Sequence, residues 1–463
     1  MNIHIIGIAG VGMSATALLL KQSGWQVTGS DAESYGPPKE ILAHAGIDFS
    51  IGYDPKNIPS DTDCFIVGRN AKLDPSVNSE VQAARASGKP VYSFPEMLGT
   101  LTKERTNVVV AGSYGKSTTT ALTAHLLRYA GIDAGYFVGA EPSTSPWLPF
   151  PSQLGSVPTF VLEGDEYPSA HDDPRAKFLH LHPHDVILTS VVHDHVNVYA
   201  TMSDYEKPFH ELLALLPVDG FIVVCADEPG ALALANISGK RVITYGLTNG
   251  TYRAKNISLG SRSSFTLFKN DMEIGRYTTS LLGRHNIEDI TAAATYVLER
   301  RLVTPDALTS AIANFPGIRR RLDNIAPTSS VPVFEGFGSS YEKARAAIVA
   351  IKEHFPKEPL VIVFEPHTFG WRNRANLHWY DDVFKEAGSV FVAPPETQGA
   401  STHDQLSHEE ILSRIGTSAR AYEEPASVTE TLTGNEVVLV LSSGDLHGSL
   451  TSLAKEIGAR FAK

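Results

Sequence analysis

Residues 106–131 read TNVVVAGSYGKSTTTALTAHLLRYAG, and the fold follows from how that stretch divides. Asn107 to Ala111 is a short apolar, β-branched run of the kind a buried strand requires. Two glycines then bracket Ser113 and Tyr114, and a helical pattern starts near Lys116. A strand, a glycine turn and a helix in that order let backbone N–H groups at the helix start cradle phosphate oxygens. Gly112, Ser113, Gly115, Lys116, Ser117 and Thr118 are therefore the candidate nucleotide-binding residues. Lys116 brings a mobile positive charge, and the Ser117 hydroxyl can ligate Mg²⁺. Two residues separate the glycines, rather than the four of the commoner phosphate loop. The competing reading is a glycine turn with an exposed lysine.

The same alternation extends in both directions. Upstream, residues 2–8 are a strand, GIAGVG is a turn, MSATALLLKQSG is a helix and QVTGSD is the next strand. This opens a parallel sheet that continues through CFIVGR and PVYSF to about residue 100. Downstream of the phosphate loop, strands are expected at TFVLEGD, DVILTSV, GFIVVCAD and RVITYG. Residues 141–158 form a Pro/Ser-rich loop inside this domain. In the last third, PLVIVFEP, SVFVAPP and EVVLVLSSG are predicted strands, and YEKARAAIVAIKEHF, WYDDVFKEAG and HGSLTSLAKEIGARFA predicted helices. The expectation is an α/β chain of three domains, 1–102, 103–317 and 318–463. The first and last are Rossmann-like, and the central one is a phosphate-loop ATPase domain.

Composition narrows the function. The chain has 463 residues and a formal charge of −12, so a phosphate backbone is repelled and nucleic acid is not an expected partner. Nucleotides would then be bound by local features: amide-lined loops, Mg²⁺ and placed basic side chains. Cys64 and Cys225 both lie in strand-like apolar runs, with neither metal spacing nor a disulfide framework, as in a reducing compartment. No apolar run reaches the roughly 18 residues of a spanning helix, and the apolar start lacks a basic leader. A soluble cytoplasmic protein without membrane insertion is expected.

Further motifs carry chemistry. The first glycine loop places Gly7, Gly10 and Gly12 before Met13 and Ser14, with Asp31 ending the next strand. Its spacing departs from the dinucleotide fingerprint, and it is read as an anion site at a helix start, or as a packing turn. Glu163, Asp165 and Glu166 repel one another unless a cation is near, so the run is either a Mg²⁺ site or an exposed acidic turn. Of the five histidines between 180 and 195, His180 and His182 lack zinc-ligand spacing, whereas His195 follows a strand at its ligand-facing end. His285 and Asn286 either cap a helix or hold a base, and Arg319, Arg320 and Arg321 form either a solvated linker or a phosphate clamp.

In order, GIAGVGMS, AGSYGKSTTT, EGDE, DH, GRHN and GIRRRLD resemble the motifs of the Mur ligase family, which assembles the peptide of peptidoglycan. The resemblance spans nearly the whole chain. It implies an ATP-dependent ligase that activates UDP-N-acetylmuramate as an acyl phosphate and joins it to an amine. Within the family, EGDEY, DDPRAKFLH, VFEPHTFGWRNRANLHWYD and LSSGDLHGSL are most similar to the murein peptide ligase branch. There the amine is the tripeptide L-alanyl-γ-D-glutamyl-meso-diaminopimelate; the sister activity, adding L-alanine alone, is the alternative. The resemblance implies that Lys116, Glu163 and His195 are catalytic and that Ser117, Glu163 and His195 hold the metal. His285 and Asn286 would contact adenine, and Arg321 the phosphates. Gly10, Gly12, Met13, Ser14 and Asp31 would serve the UDP substrate. Arg372 and Arg374 follow a predicted strand and are candidates for bidentate recognition of the carboxylates of the amine; the alternative is that both pair with acids such as Asp381 and Asp382.

The sequence departs from the family where the third domain opens. Gly336, Ser339 and Tyr341 stand where the family has Asp, His and Pro. That departure motivates one further reading, a relative that binds nucleotide or UDP-sugar without turnover.

Overall fold

In a computed structural model the chain folds as two compact units, one of residues 1–257, 264–279 and 285–315, the other of 258–263, 280–284 and 316–463. The described residues are all except Ser34, Tyr35, Thr144, Val196, Asn197 and 397–403. Three sheets organise them.

The first sheet comprises β1 (Asn2–Ile6), β2 (Gln26–Asp31), β3 (Ser50–Ile51), β4 (Cys64–Val67) and β5 (Val91–Tyr92), in the order β3-β2-β1-β4-β5. Every pairing in it is parallel. The order reverses beside β1, and the crevice at such a switch point is where α/β sheets bind ligands. The Val11–Gln22 helix starts there, with Gly10 as its N-cap and no side-chain cap.

The second sheet holds β6 (Thr106–Ala111), β7 (Gly135–Phe137), β8 (Ser152–Gln153), β9 (Thr159–Glu163), β10 (Asp185–Leu188), β11 (Phe221–Cys225), β12 (Arg241–Gly246), β13 (Tyr252–Ser258), β14 (Ser263–Lys269) and β15 (Met272–Thr279). Its order is β15-β14-β13-β12-β11-β10-β6-β9-β7-β8. The central strands are apolar on both faces, as strands covered by helices on both sides must be. Two features depart from the sequence reading. The Pro/Ser-rich stretch 141–158 supplies β8, antiparallel to β7. Residues 252–279 supply three strands where none was read, because their alternation is half polar and they extend an already formed sheet edge.

The third sheet lies in the second unit: β16 (Arg321–Asn324), β17 (Val333–Gly336), β18 (Leu360–Phe364), β19 (Ser389–Val392), β20 (Ala419–Ala421) and β21 (Val437–Leu441), ordered β16-β17-β21-β18-β19-β20. All its pairings are parallel except β16 with β17. The predicted α-helix over WYDDVFKEAG is instead a 3₁₀ segment, Arg374–Asp381, followed by turns. Its aromatics are recruited as anchors: the Tyr380 hydroxyl donates to the Trp371 carbonyl (2.7 Å), and Phe364 packs on Trp371, Tyr380 and Phe384. Among the described residues no helix is long and apolar enough to cross a membrane.

Candidate active site

The candidate phosphate loop joins β6 to the Lys116–Tyr129 helix, the strand–turn–helix order that the spacing predicts. Gly112 and Gly115 have φ of +144° and +78°, backbone that side-chain-bearing residues rarely adopt. A Cβ on Gly112 would lie 2.1 Å from Thr189 Oγ1, and one on Gly115 2.5 Å from Asp289 Oδ1. The glycines therefore serve both the turn and the packing beneath it. The loop is tied to the segment after β10: Ser113 N–H donates to the Ser190 carbonyl (3.0 Å), Tyr114 N–H to Ser190 Oγ (2.9 Å), and Val192 N–H to Ser113 Oγ (2.8 Å). Thr118 is buried on the first helical turn.

Lys116 does not project into solvent. Its Nζ lies 2.9 Å from Glu166 Oε2 and also donates to the Gly112 carbonyl. Glu166 is fully buried, and its Oε1 lies 3.0 Å from His195 Nε2. Tyr199 donates to the Glu166 carbonyl and Tyr205 to Oε1 (3.4 Å). Burial, reinforced by the nearby Glu166 charge, pushes the Tyr199 hydroxyl up to about 12, so it stays a proton donor near neutrality. His195 sits on left-handed backbone (φ +55°) with its ring edge-on to Tyr167, centroids 4.4 Å apart. His195 thus joins the loop through Glu166 and Lys116.

Glu163 takes a different partner from the same acidic run. Ser117 Oγ donates to its Oε1 (2.9 Å) and Gly139 N–H to its Oε2 (2.7 Å). Burial raises the Glu163 carboxyl above the usual carboxylate range, against the opposing pull of the Gly139 amide, Lys116 and Ser117. Asp165 pairs with Lys177 Nζ at 2.6 Å. Burial resists its charge, but Lys177 outweighs this and holds the carboxyl below the usual range. The three carboxylates of the run therefore have separate duties. The sequence presents all three in four residues; which one meets Lys116 depends on where the chain turns after β9.

The first glycine loop lies in the same unit. Asp31 shapes it: Ala9 N–H donates to Oδ2 (2.8 Å), while Ala32 N–H (2.7 Å) and Tyr53 (3.0 Å) donate to Oδ1. Met13 and Ser14 are buried in the helix, and Ser14 spends its N–H on the Gly10 carbonyl (2.8 Å) and its hydroxyl on the Val11 carbonyl (3.1 Å). What the loop presents outward is Gly10, Gly12 and the exposed side chain of Val11. A cavity of about 200 Å³ runs from Val11 and Gly12, past Phe94 and Phe137, to Glu163 and Lys177. It connects the helix start of the first sheet with the acidic run of the second, a junction that the spacing of neither motif foretold.

His285 and Asn286 open the Arg284–Glu299 helix, with Asn286 Nδ2 3.3 Å from the His285 ring. One turn on, Asp289 accepts from Thr119 (3.1 Å), so this helix packs on the phosphate-loop helix. Arg321, Arg372 and Arg374 belong to the second unit. Arg321 is exposed at the start of β16. Arg372 is 8% exposed and donates to the Glu396 carbonyl (2.6 Å); Arg374 is bound by Asp404 (2.9 Å) and Glu410. The departure at Gly336–Tyr341 builds a turn. Ser340 caps the Tyr341–His354 helix, Trp371 donates to the Gly338 carbonyl (2.8 Å), and Tyr341 donates to Asp382 (2.9 Å).

Comparison with known proteins fits this arrangement. Residues 2–106 match the catalytic domain of the Mur ligase family, and residues 110–297 match the Mur ligase middle domain. The chain is 34% identical over 393 residues to a UDP-N-acetylmuramate–L-alanine ligase of an Arthrobacter species, covering 84% of this chain and 80% of that protein. The solved UDP-N-acetylmuramate-alanine ligase of Thermotoga maritima shares the fold with a TM-score of 0.78 at 22% identity, covering 99% of this chain and 100% of the other. A murein peptide ligase of Psychrobacter arcticus shares it with a TM-score of 0.66 at 24% identity, covering 99% of each chain. The chain belongs to the Mur ligase family, whose members are ATP-dependent amide ligases.

Proposed function

We propose that this protein joins the lactyl carboxylate of UDP-N-acetylmuramate to the amine of a single amino acid, L-alanine, through an acyl phosphate formed with ATP. The observation that carries the reading is the cavity from the first glycine loop to Glu163 and Lys177. It lets a substrate whose diphosphate rests on the Gly10–Gly12 backbone extend its carboxylate toward the phosphate loop. The work of the protein is then positioning and charge stabilisation, with water kept from the acyl phosphate.

The roles follow from the contacts. Lys116, released from Glu166, neutralises the transferred phosphate. Ser117 and Glu163 present oxygens to one another at 2.9 Å, a pair suited to a hard cation, and we assign Mg²⁺ to them; His195, expected as a third ligand, is bonded instead to Glu166 at 3.0 Å. The cation would supply charge neutralisation between nucleotide and carboxylate. Asp31 acts by closing the first loop. His285 and Asn286 are assigned to adenine and Arg321 to phosphate on family resemblance alone. The domains are assigned likewise: 1–102 to UDP, 103–317 to ATP, 318–463 to the amine. Two buried free cysteines suit a reducing cytoplasm.

The amine is where Arg372 and Arg374 matter. As carboxylate receptors they favour a tripeptide. In the folded chain Arg374 already holds two acidic side chains and Arg372 a backbone carbonyl, which removes that support. Relatives 31–34% identical over most of their length are UDP-N-acetylmuramate–L-alanine ligases, which further supports the smaller amine. The test is phosphate release from purified enzyme with ATP and UDP-N-acetylmuramate, comparing L-alanine with L-alanyl-γ-D-glutamyl-meso-diaminopimelate. L-alanine should be used faster. Faster use of the tripeptide reverses the assignment, and use of neither amine favours the binding protein without turnover.

A further inference from the structure

Three sequence stretches in the second unit, FEPHTF, APPE and SGDLHG, carry no assigned role in the proposed reaction, yet the fold gathers them. They leave the carboxyl ends of β18, β19 and β21, adjacent strands of the third sheet. One ligand atom each from Glu365, His367 and Glu396 lies within 4.8 Å of the other two, and His447 stands beside them.

The details favour a cation. Glu365 is buried, and its Oε2 is fixed by Ser442 Oγ and by Leu446 N–H (3.2 Å). That leaves Oε1 facing His367 Nδ1 at 3.8 Å and His447 Nε2 at 4.0 Å. His367 Nδ1 is itself buried and has no hydrogen-bond partner, a state that buried polar atoms rarely keep without a ligand. His447 Nε2 lies 3.1 Å from the Pro394 carbonyl, so the proton of a neutral ring belongs on Nε2. Nδ1 then turns its lone pair toward Glu396 Oε1 at 3.2 Å, and two lone pairs at that distance repel unless a proton or a metal ion lies between them. A ring N–H given to a backbone carbonyl while the other nitrogen faces the metal is the usual outer-shell pattern of a ligating histidine. Leu446 and His447 both adopt left-handed backbone (φ +53°), which aims this ring inward. A Cβ on Gly444 would sit 2.6 Å from Glu365 Oε2 and 2.8 Å from His367 Nδ1, so the loop closes over the cluster only with glycine there.

We propose that Glu365, His367, Glu396 and His447 form a site for a divalent transition-metal ion, Zn²⁺ foremost. Mixed imidazole and carboxylate donors suit Zn²⁺ rather than Mg²⁺, which prefers an all-oxygen octahedron. Bonds of about 2.0–2.2 Å in a tetrahedron set ligand atoms about 3.3 Å apart; His447 Nδ1 lies 3.2 Å from Glu396 Oε1 and His367 Nδ1 3.8 Å from Glu365 Oε1. The inference is independent of the amine assignment and of the Ser117–Glu163 site, which lies in the other unit. A second group, Glu96, Asp173 and His180 in the first unit, is weaker because Arg175 already pairs with Asp173 at 2.8 Å.

The test uses the full chain, stripped with chelator, refilled with excess Mg²⁺ and titrated with Co²⁺ as a spectroscopic probe. One equivalent should bind with visible d–d absorption of low-coordinate nitrogen and oxygen ligation, and Zn²⁺ should displace it. His367→Ala and His447→Ala, at partly exposed positions that leave folding intact by circular dichroism, should each weaken Co²⁺ binding at least about tenfold, on the scale of disrupted metal shells. His180→Ala should not. Absence of stoichiometric Co²⁺ binding, or variants within tenfold of the parent, would mean that the cluster is only a set of protonated histidine–glutamate ion pairs and would overturn the site.

Discussion

The two glycine loops of the first unit have the same local design and opposite equipment. Both follow the first strand of a parallel sheet segment, and both start a helix without a side-chain N-cap. The loop at Gly112–Ser117 is surrounded by charge: Lys116 on Glu166, Ser117 on Glu163, His195 behind. The loop at Gly7–Gly12 has one carboxylate, Asp31, already engaged by two backbone amides and a tyrosine, and it shows an exposed Val11. A helix start alone suffices for a diphosphate that is held but not altered. In the proposed reaction a phosphoryl group is transferred, which develops charge and needs preorganised counter-charge, and Lys116 on the Gly112–Ser117 loop would supply it.

The largest effect should come from Lys116→Ala. Loss of the one cation on the armed loop should lower turnover by on the order of 10²–10³. Near-normal phosphate release would erase the distinction between the loops.

Next is Glu163→Gln, read through pH. A carboxyl raised by burial binds protons more tightly than an exposed one, so it loses its anion earlier as pH falls. Because a cation needs the anion, the Mg²⁺ concentration for half-activation should climb in the parent enzyme as pH falls into the raised range of this carboxyl, earlier than for an exposed glutamate. In the glutamine variant it should be high at every pH and nearly flat. A parent profile as flat as that of the variant would remove Glu163 from the metal site.

Gly12→Val sharpens the comparison from the other side. A Cβ at Gly12 meets the Phe94 ring at 3.3 Å and narrows the cavity mouth. KM for UDP-N-acetylmuramate should rise about tenfold, the worth of roughly one hydrogen-bonded phosphate contact, with KM for ATP unchanged. A rise in KM for ATP instead would show that the loops are not independent.

The smallest effect is structural. Asp31→Asn weakens three hydrogen bonds that close the first loop, and should lower stability by about 1–2 kcal/mol, seen as a melting shift of a few degrees. Large loss of turnover in a still folded Asp31→Asn protein would mean that the carboxylate touches substrate.

Much of this was readable in one dimension. The period of the apolar residues announced parallel α/β sheets, because strands covered on both faces must be continuously apolar. Gly112, Gly115 and Lys116 announced a tight turn from strand to helix with a lysine at its start, because left-handed backbone there requires glycine. The motif order around them carried the family. What only the tertiary structure decided are pairings between distant segments. Glu163 and Glu166 look equivalent in EGDE, but one meets Ser117 and the other Lys116 and His195, since the turn after β9 sends them opposite ways. Arg374 reads as an open receptor until Asp404 and Glu410 fold against it. Glu365, His367, Glu396 and His447 are scattered over more than eighty positions and meet because three parallel strands end side by side. Local spacing determines what a backbone segment can do, whereas a charge acquires its partner only when the sheet is assembled.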